Sequence, residues 1–238
     1  MRIEVVQTVE EVRQEQIVGR TVVVIDVLRA SSTIVAALHY GFASVFPVET
    51  LKQAYDLRSE NTIFSGERNC KKIPDFDYNN SPTALRQSDH TGKSLVLTTT
   101  NGTRAIQKAA RAENVFIGCL LNATACIKEA IARHHDITLY CAGTRQEFAL
   151  EDGLAAGKMV QVARQLVPSI QLCDLSQAME ACYCQFAHNL PAKLQQTTTG
   201  KRLVQHQYTE DIVYCSQVDL LKIVPVVRER RILPLPVS

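Results

Sequence analysis

Charge of one sign is the first thing this 238-residue chain lacks. Its 26 Lys and Arg nearly balance 24 Asp and Glu, leaving a formal net charge of +2. So small an excess gives no footing for nucleic acid or a membrane surface as partner. No apolar run reaches the roughly 20 residues that span a bilayer. The opening MRIEVVQTVEEV carries acids where a secretory leader has its apolar core, so a cytoplasmic location is expected. The eight cysteines are Cys70, Cys119, Cys126, Cys141, Cys173, Cys182, Cys184 and Cys215, and no two form a CxxC pair. That removes a zinc framework and leaves structural thiols as the expectation for all eight. His39, His90, His188 and His206 share no metal-like spacing, and His134-His135 falls at an expected helix end, where cations are favoured. The Arg228–Arg231 cluster, with Glu229 inside it, reads as a solvated turn.

The rest of the composition, 21% charged and 46% hydrophobic, is that of an ordinary globular protein. Strand-like runs recur at Ile3–Val6, Thr21–Asp26, Ser44–Pro47, Thr62–Ser65, Ser94–Thr98, Val115–Ile117 and Ile137–Cys141. Helical patterns fall between most of them, at Thr33–His39, Leu51–Leu57, Gly102–Ala110, Ala123–Arg133 and Leu154–Leu166. This alternation predicts one α/β unit over residues 1–238: three layers, α/β/α, with a mixed or mainly parallel sheet. Helical additions are expected from Leu172 to Gln207, and Leu221–Val227 with Arg231–Leu235 as a possible return to the sheet. Asn69–His90 is the longest irregular stretch, and loops of that length are often functional.

Three strand-to-helix junctions carry chemistry. In TVVVIDVLRASSTIVAAL, four β-branched residues end on Asp26, with Arg29 next and Ser31 or Ser32 as N-cap of a helix. Ligands of open α/β sheets bind at such an edge, and helix N-termini attract anions. The bland alternative has Asp26 only bonding turn amides. In LVLTTTNGTRAI, Thr98, Thr99, Thr100 and Thr103 surround Asn101 and Gly102, with Arg104 beside them, a plausible phosphate cradle or simply a threonine-rich edge with an Asn-Gly turn. In TLYCAGTRQEFALEDGLAAG, Glu151 and Asp152 open a helix, where acids are favoured by the helix dipole alone. Yet this pair and Asp26 both lie near strand ends, and converging carboxylates suit an oxygen-loving ion such as Mg²⁺. Between them, SGERN supplies Glu67, and DFDYNNSP supplies Asp77, Asn79, Asn80 and Ser81.

As an ordered set, DVLRASSTI, SGERN with FDYNNSP, LTTTNGTRAI, CAGT followed by FALEDGLAAG, and the later YTEDIVYC resemble the 2-phosphosulfolactate phosphatase family. The resemblance runs from about Arg2 to the tail. It implies a three-layer α/β fold and a Mg²⁺-dependent phosphatase. The implied reaction converts (2R)-2-phospho-3-sulfolactate to 3-sulfolactate, on a route to coenzyme M. The chain departs from the family pattern where Pro74-Asp75 precedes Phe76-Asp77, where Asn79 takes a Gly place, and where Cys70 follows GERN's Asn69 in a position usually Gly. Rival readings are a phosphatase of another small phosphorylated hydroxy acid and a non-enzymatic anion-binding α/β regulatory protein. A haloacid-dehalogenase-type site would need a second acid where Leu28 stands, and the Walker and serine-nucleophile patterns are absent.

The expected site therefore comprises Mg²⁺ on oxygens drawn from Asp26, Glu67, Glu151 and Asp152. A phosphoryl group is expected between Ser31–Thr33 and Thr99–Thr103, with Arg29 or Arg104 neutralising its charge. Substrate contacts are expected from Arg29, Ser31, Ser32, Asn80, Ser81, Thr99, Thr100, Asn101, Gly102, Thr103 and Arg104. Two chemical routes stay open. Asp26 attacks phosphorus, or an acid such as Asp152 or Asp211 orients or deprotonates a metal-bound water. The expected partner is a small anionic phosphorylated substrate, and fold-level analogy suggests a homodimer.

Overall fold

A computed structural model describes residues 1–235. The chain runs β1 (Arg2–Val6), β2 (Thr21–Ile25), α1 (Ala30–His39), β3 (Ser44–Val48), α2 (Leu51–Asp56), β4 (Thr62–Arg68), β5 (Lys71–Lys72), α3 (Pro82–Leu85), β6 (Ser94–Thr98), α4 (Gly102–Lys108), β7 (Asn114–Gly118), α5 (Ala123–Ala132), β8 (Ile137–Cys141), α6 (Leu150–Leu166), β9 (Gln171–Leu172), α7 (Asp174–Phe186), α8 (Leu190–Gln195), α9 (Thr198–Gln205), α10 (Thr209–Cys215), β10 (Pro225–Arg228) and β11 (Arg231–Pro234). The strands form one mixed, mostly parallel sheet with helices on both sides, a three-layer α/β/α arrangement as the alternation predicted. No described helix is long and apolar enough to cross a membrane.

Strand β2 shows why the sheet is covered twice. All five residues are buried, and they divide by alternation: Val23 and Ile25 enter one apolar cluster, Val22 and Val24 the other. The first cluster gathers α5, α6 and the later helices, and the second gathers α4, Phe42 and the inner face of β3 and β6. Helix α1 joins both, with Val35 and Ala36 in one cluster and Ile34, Ala37 and Leu38 in the other. Every residue from Ala30 to Leu38 is buried, which explains its run of small and apolar side chains.

The strand order is β5-β4-β6-β3-β11-β10-β7-β2-β8-β1-β9. The C-terminal hairpin sits in the middle, antiparallel to β3 on one side and β7 on the other. Its turn, Glu229-Arg230, has left-handed backbone at both residues and is exposed, as a two-residue hairpin turn requires. Because β10 and β11 are also antiparallel to each other, the parallel half containing β4, β6 and β3 runs opposite in sense to the half containing β7, β2, β8 and β1. In a flat sheet, β6 and β2 would lie about 24 Å apart with their C-terminal ends on opposite edges. Instead, a Cβ placed on Gly102 would stand 2.8 Å from Asp26 Oδ2 and 2.5 Å from the Ala30 Cβ. The sheet must therefore curl. Helix α1 packs on both β3 and β7, and α4 on both β2 and β3, so the two helices occupy the inside of the curl. This curl, together with a twist of about 20–25° per strand accumulated over the five steps from β6 to β2, is what brings the ends of β2, β4, β6 and β8 to one place.

Element boundaries shift from expectation at two functional points. Helix α1 starts at Ala30, with Arg29 rather than Ser31 or Ser32 at its N-cap, and α6 starts at Leu150, so Glu151 and Asp152 lie in its first turn. The irregular Asn69–His90 stretch contains the short β5 and α3, and Tyr78 bridges to Ser65. The eight cysteines are all free, five of them buried.

Candidate active site

At the strand ends, a cleft of about 90 Å³ is lined by Asp26, Leu28, Arg29, Glu67, Asn69, Cys70, Asn80, Thr100, Asn101, Gly143, Thr144, Arg145, Glu151, Asp152, Thr199 and Arg202, among others. That space holds several water-sized groups, which suits a compact ligand. Among the described residues, no three His, Cys, Asp or Glu side chains stand close enough to form a ready-made metal cage. The four expected carboxylates do share the cleft, and their surroundings divide them into two kinds.

Asp26 ends β2. Its Oδ1 accepts the Ala30 amide at 3.1 Å, the first turn of α1, as the bland reading supposed. Its Oδ2 receives no donor from the described residues. Burial, then repulsion from Glu67 and Glu151, pushes this carboxyl up to about 7, opposed by the Ala30 amide and only last by Arg29. Glu151 is 2% exposed, and its carboxylate likewise takes no hydrogen bond from the described residues. Asp152 and Glu67 are different, because all their oxygens are engaged. Asp152 does not cap its own helix. Its Oδ1 accepts the Val27 amide at 2.8 Å and its Oδ2 the Gly143 amide at 3.1 Å, tying the segments after β2 and β8 together. Burial holds its pKa well above the usual carboxylate range, and Asp26 and Glu151 add to the rise. Glu67 accepts the Cys70 amide at 2.8 Å and the Thr100 hydroxyl at 3.2 Å. The first of these bonds closes the β4–β5 turn, where Asn69 and Cys70 both have positive φ. The position of Cys70 is thus one that glycine fills without strain.

Arg29 lines the cleft, yet its charge is spent elsewhere. Nη1 meets Asp211 Oδ2 at 2.5 Å, Nη2 donates to Asn79 Oδ1 at 3.1 Å, and the guanidinium lies 4.4 Å from the Tyr208 ring centroid. Asn79 in turn donates to the Cys70 carbonyl and the Tyr208 hydroxyl. Asp211, 1% exposed, also accepts the Ser81 and Thr83 hydroxyls at 2.8 and 2.6 Å. It is buried, does not line the cleft and has both oxygens bonded by protein donors, which corrects the expectation that it orients or deprotonates a water.

The expected anion cradle needs a similar correction. The starts of α1 and α4 do meet, through Gly102 against Ala30. Their hydroxyls, however, are turned inward. Ser31 Oγ accepts the Asp26 amide and donates to the Val24 carbonyl, and Ser32 Oγ donates to the Val27 carbonyl. Thr103 and Thr99 bond each other, and Ser81 caps α3 as well as bonding Asp211. None of these side chains lines the cleft. Gly102 serves as the close contact between helices and not as a ligand-facing turn. Arg104 points away, 42% exposed and paired with Glu10 at 3.2 Å. From the expected substrate set, Arg29, Asn80, Thr100 and Asn101 do line the cleft. Asp77 lies on the surface and holds the Phe64 amide.

Arg145, Thr144, Thr199 and Arg202 were not anticipated. Arg145 follows CAGT directly and its proximity to that motif was the available signal. Thr199 and Arg202 come from α9, whose sequence carries nothing to mark it as part of the site. Only the packing of α9 against the cleft shows it.

A sequence model of the 2-phosphosulpholactate phosphatase family matches residues 6–230 of this chain. A probable 2-phosphosulfolactate phosphatase of Caldanaerobacter subterraneus subsp. tengcongensis is 36% identical over 229 residues, covering 94% of this chain and 95% of the relative. One from Thermotoga petrophila is 40% identical over 207 residues (87% and 88%), and one from Clostridium acetobutylicum 31% identical over 228 (94% and 97%). This chain belongs to the 2-phosphosulpholactate phosphatase family.

Proposed function

We propose that this family member is a Mg²⁺-dependent phosphomonoester hydrolase that removes phosphate from 2-phospho-3-sulfolactate. Family membership supports the reaction, and one observation supports the metal: four carboxylates share a cleft whose nearest buried cation, Arg29, is already neutralised by Asp211. Burial above all, with repulsion between these acids added to it, makes Asp26 and Asp152 resist ionisation. A divalent cation relieves that repulsion. Mg²⁺ takes one or two carboxylates and keeps several waters. Asp26 and Glu151, the two acids with oxygens free of protein donors, would hold it. Asp152 and Glu67, each bonded through both oxygens, would orient the strand ends around it. When bound, the ion would polarise the phosphoryl oxygens and neutralise charge that develops on them.

The chain's own groups would do the rest. Asn101, fixed by donating to the Gly143 carbonyl at 2.9 Å, and Thr100, fixed on Glu67, would border the phosphoryl group from the β6 side. Arg145, which lines the same cleft, would supply positive charge. Positioning and charge stabilisation of this kind account for most of phosphoryl-transfer catalysis. The test is phosphate release from 2-phospho-3-sulfolactate by the purified protein, with EDTA and after Mg²⁺ is restored. Release that ignores EDTA would remove the metal. Turnover of sugar phosphates or nucleotides with 2-phospho-3-sulfolactate untouched would remove the substrate.

A further inference from the structure

The cleft also holds a cation with unspent bonding capacity. Arg202 projects from α9 and donates Nη2 to the Thr144 hydroxyl at 2.6 Å. Its Nε is buried and has no hydrogen-bond partner among the described residues. No described carboxylate lies within ion-pair distance of it. Its Nη1 donates to no described residue and, unlike Nε, is not buried, so it is the nitrogen a ligand oxygen in the cleft could reach. Asn80 stands in the same cleft, 4% exposed. Its Oδ1 is buried without a donor, and neither end of its amide bonds the described protein.

Arg202 is also held in a fixed place. Thr197 caps α9 by accepting the Gly200 amide at 3.1 Å, and Leu203 is buried. At Gly200 the Leu194 carbonyl of α8 comes so close that a Cβ would meet it at 1.8 Å. Helix α9 is therefore seated tightly on α8. The Thr144 bond then ties the guanidinium to the tight Thr144–Glu147 hairpin, whose two ends exchange backbone bonds of 2.8 and 2.9 Å.

We propose that Arg202 is the specificity-determining residue for the substrate's sulfonate, held at an anion subsite on the α9 wall with Asn80 beside it. The inference rests on the substrate reading above and adds the group that selects it. In 2-phospho-3-sulfolactate the carboxylate is attached to the carbon that carries the phosphate, so it must stay near the acids and their metal. The sulfonate is one carbon further out and would meet Arg202. With Nη1 unpartnered and one N–H of Nη2 left over from the Thr144 bond, the guanidinium presents an end-on fork suited to two oxygens of one acid group. Arg29 cannot serve there, because Asp211 and Asn79 occupy it.

The experiment compares two substrates that differ only at that group, 2-phospho-3-sulfolactate and 2-phospholactate, in wild type, Arg202→Gln and Arg202→Lys. Loss of one charge-assisted contact lowers kcat/KM for the sulfonated substrate by about 10- to 100-fold, mainly through KM. The 2-phospholactate value should change less than about threefold, since a contact that is never made cannot be lost. Arg202→Lys keeps the charge and restores part of the discrimination. Equal losses on both substrates, or no loss on either, overturn the proposal. Unchanged melting of each variant shows that the fold persists. Calorimetry separates this inference from the functional reading. If wild type hydrolyses no phosphomonoester, that reading has failed, and binding of 3-sulfolactate then decides the subsite. Binding to wild type that Arg202→Gln weakens at least tenfold upholds it, and equal binding to both overturns it.

Discussion

Asp26→Asn should stabilise the metal-free protein at pH 8 while removing its response to Mg²⁺. The carboxyl is shifted from its ordinary 3.8 to about 7 by burial and by Glu67 and Glu151. Between those two values the folded state binds more protons at this site than the unfolded chain does. Stability from this group is therefore fully present below pH 4, falls as pH rises through about 7, and is flat above. At about 1.4 kcal/mol per pH unit of displacement, the upper bound is about 4 kcal/mol against the charged form. Asp26 keeps partial access to the cleft, and solvent screening reduces this to about 1–2 kcal/mol. Asparagine has the shape of the neutral acid and can still accept the Ala30 amide. In EDTA it should raise Tm at pH 8 by about 2–8 °C, given 2–4 °C per kcal/mol for a chain this size, and leave Tm at pH 4 within about 1 °C. Saturating Mg²⁺ reverses the order. Wild type gains about 2.7 kcal/mol at a hundredfold excess over Kd, and the variant gains little. Calorimetric melting at the two pH values, with EDTA and with Mg²⁺, reads all four numbers. If Asp26→Asn lost the same stability at pH 4 and pH 8 in EDTA, Asp26 would be only a turn-capping residue and the reasoning would fail.

Three further outcomes follow from the geometry. Asp211→Ala strands the buried Arg29 guanidinium and the Ser81 and Thr83 hydroxyls, so denaturant unfolding should show a loss of about 3–5 kcal/mol. Replacing Arg29 and Asp211 together with Met and Leu should recover much of it. Gly102→Ala would gain slightly on helix propensity alone, yet its Cβ meets Ala30 and Asp26 Oδ2. It should cost about 1–3 kcal/mol and lower kcat/KM by displacing Asp26, and a rise in Tm would contradict the curled sheet. Arg104→Ala should leave kcat/KM within about twofold, because the side chain is exposed and its partner Glu10 lies outside the cleft. A tenfold loss would put Arg104 back in the site.

Local sequence was sufficient wherever a property depends on neighbours along the chain. The β-branched run Val22–Ile25 could only be a buried strand, and alternation of such runs with helical patterns led to the layered fold. The acids Asp26 and Glu67 were readable from their places at the ends of strand-like runs, and Glu151 and Asp152 from theirs at a helix start. Tertiary structure alone decided which polar groups face the cleft. Ser31, Ser32, Thr99 and Thr103 looked like a cradle, but hydroxyls near a helix start bond whichever backbone groups lie closest, and here those lie inward. Arg29 and Asp211, 182 residues apart, neutralise each other through a contact that no local pattern encodes. Arg202 came to the cleft only because the close α8–α9 contact at Gly200 seats its helix there. The central hairpin of β10 and β11 reverses the two halves of the sheet, and the curl that returns their ends to one point is a property of the whole packed chain.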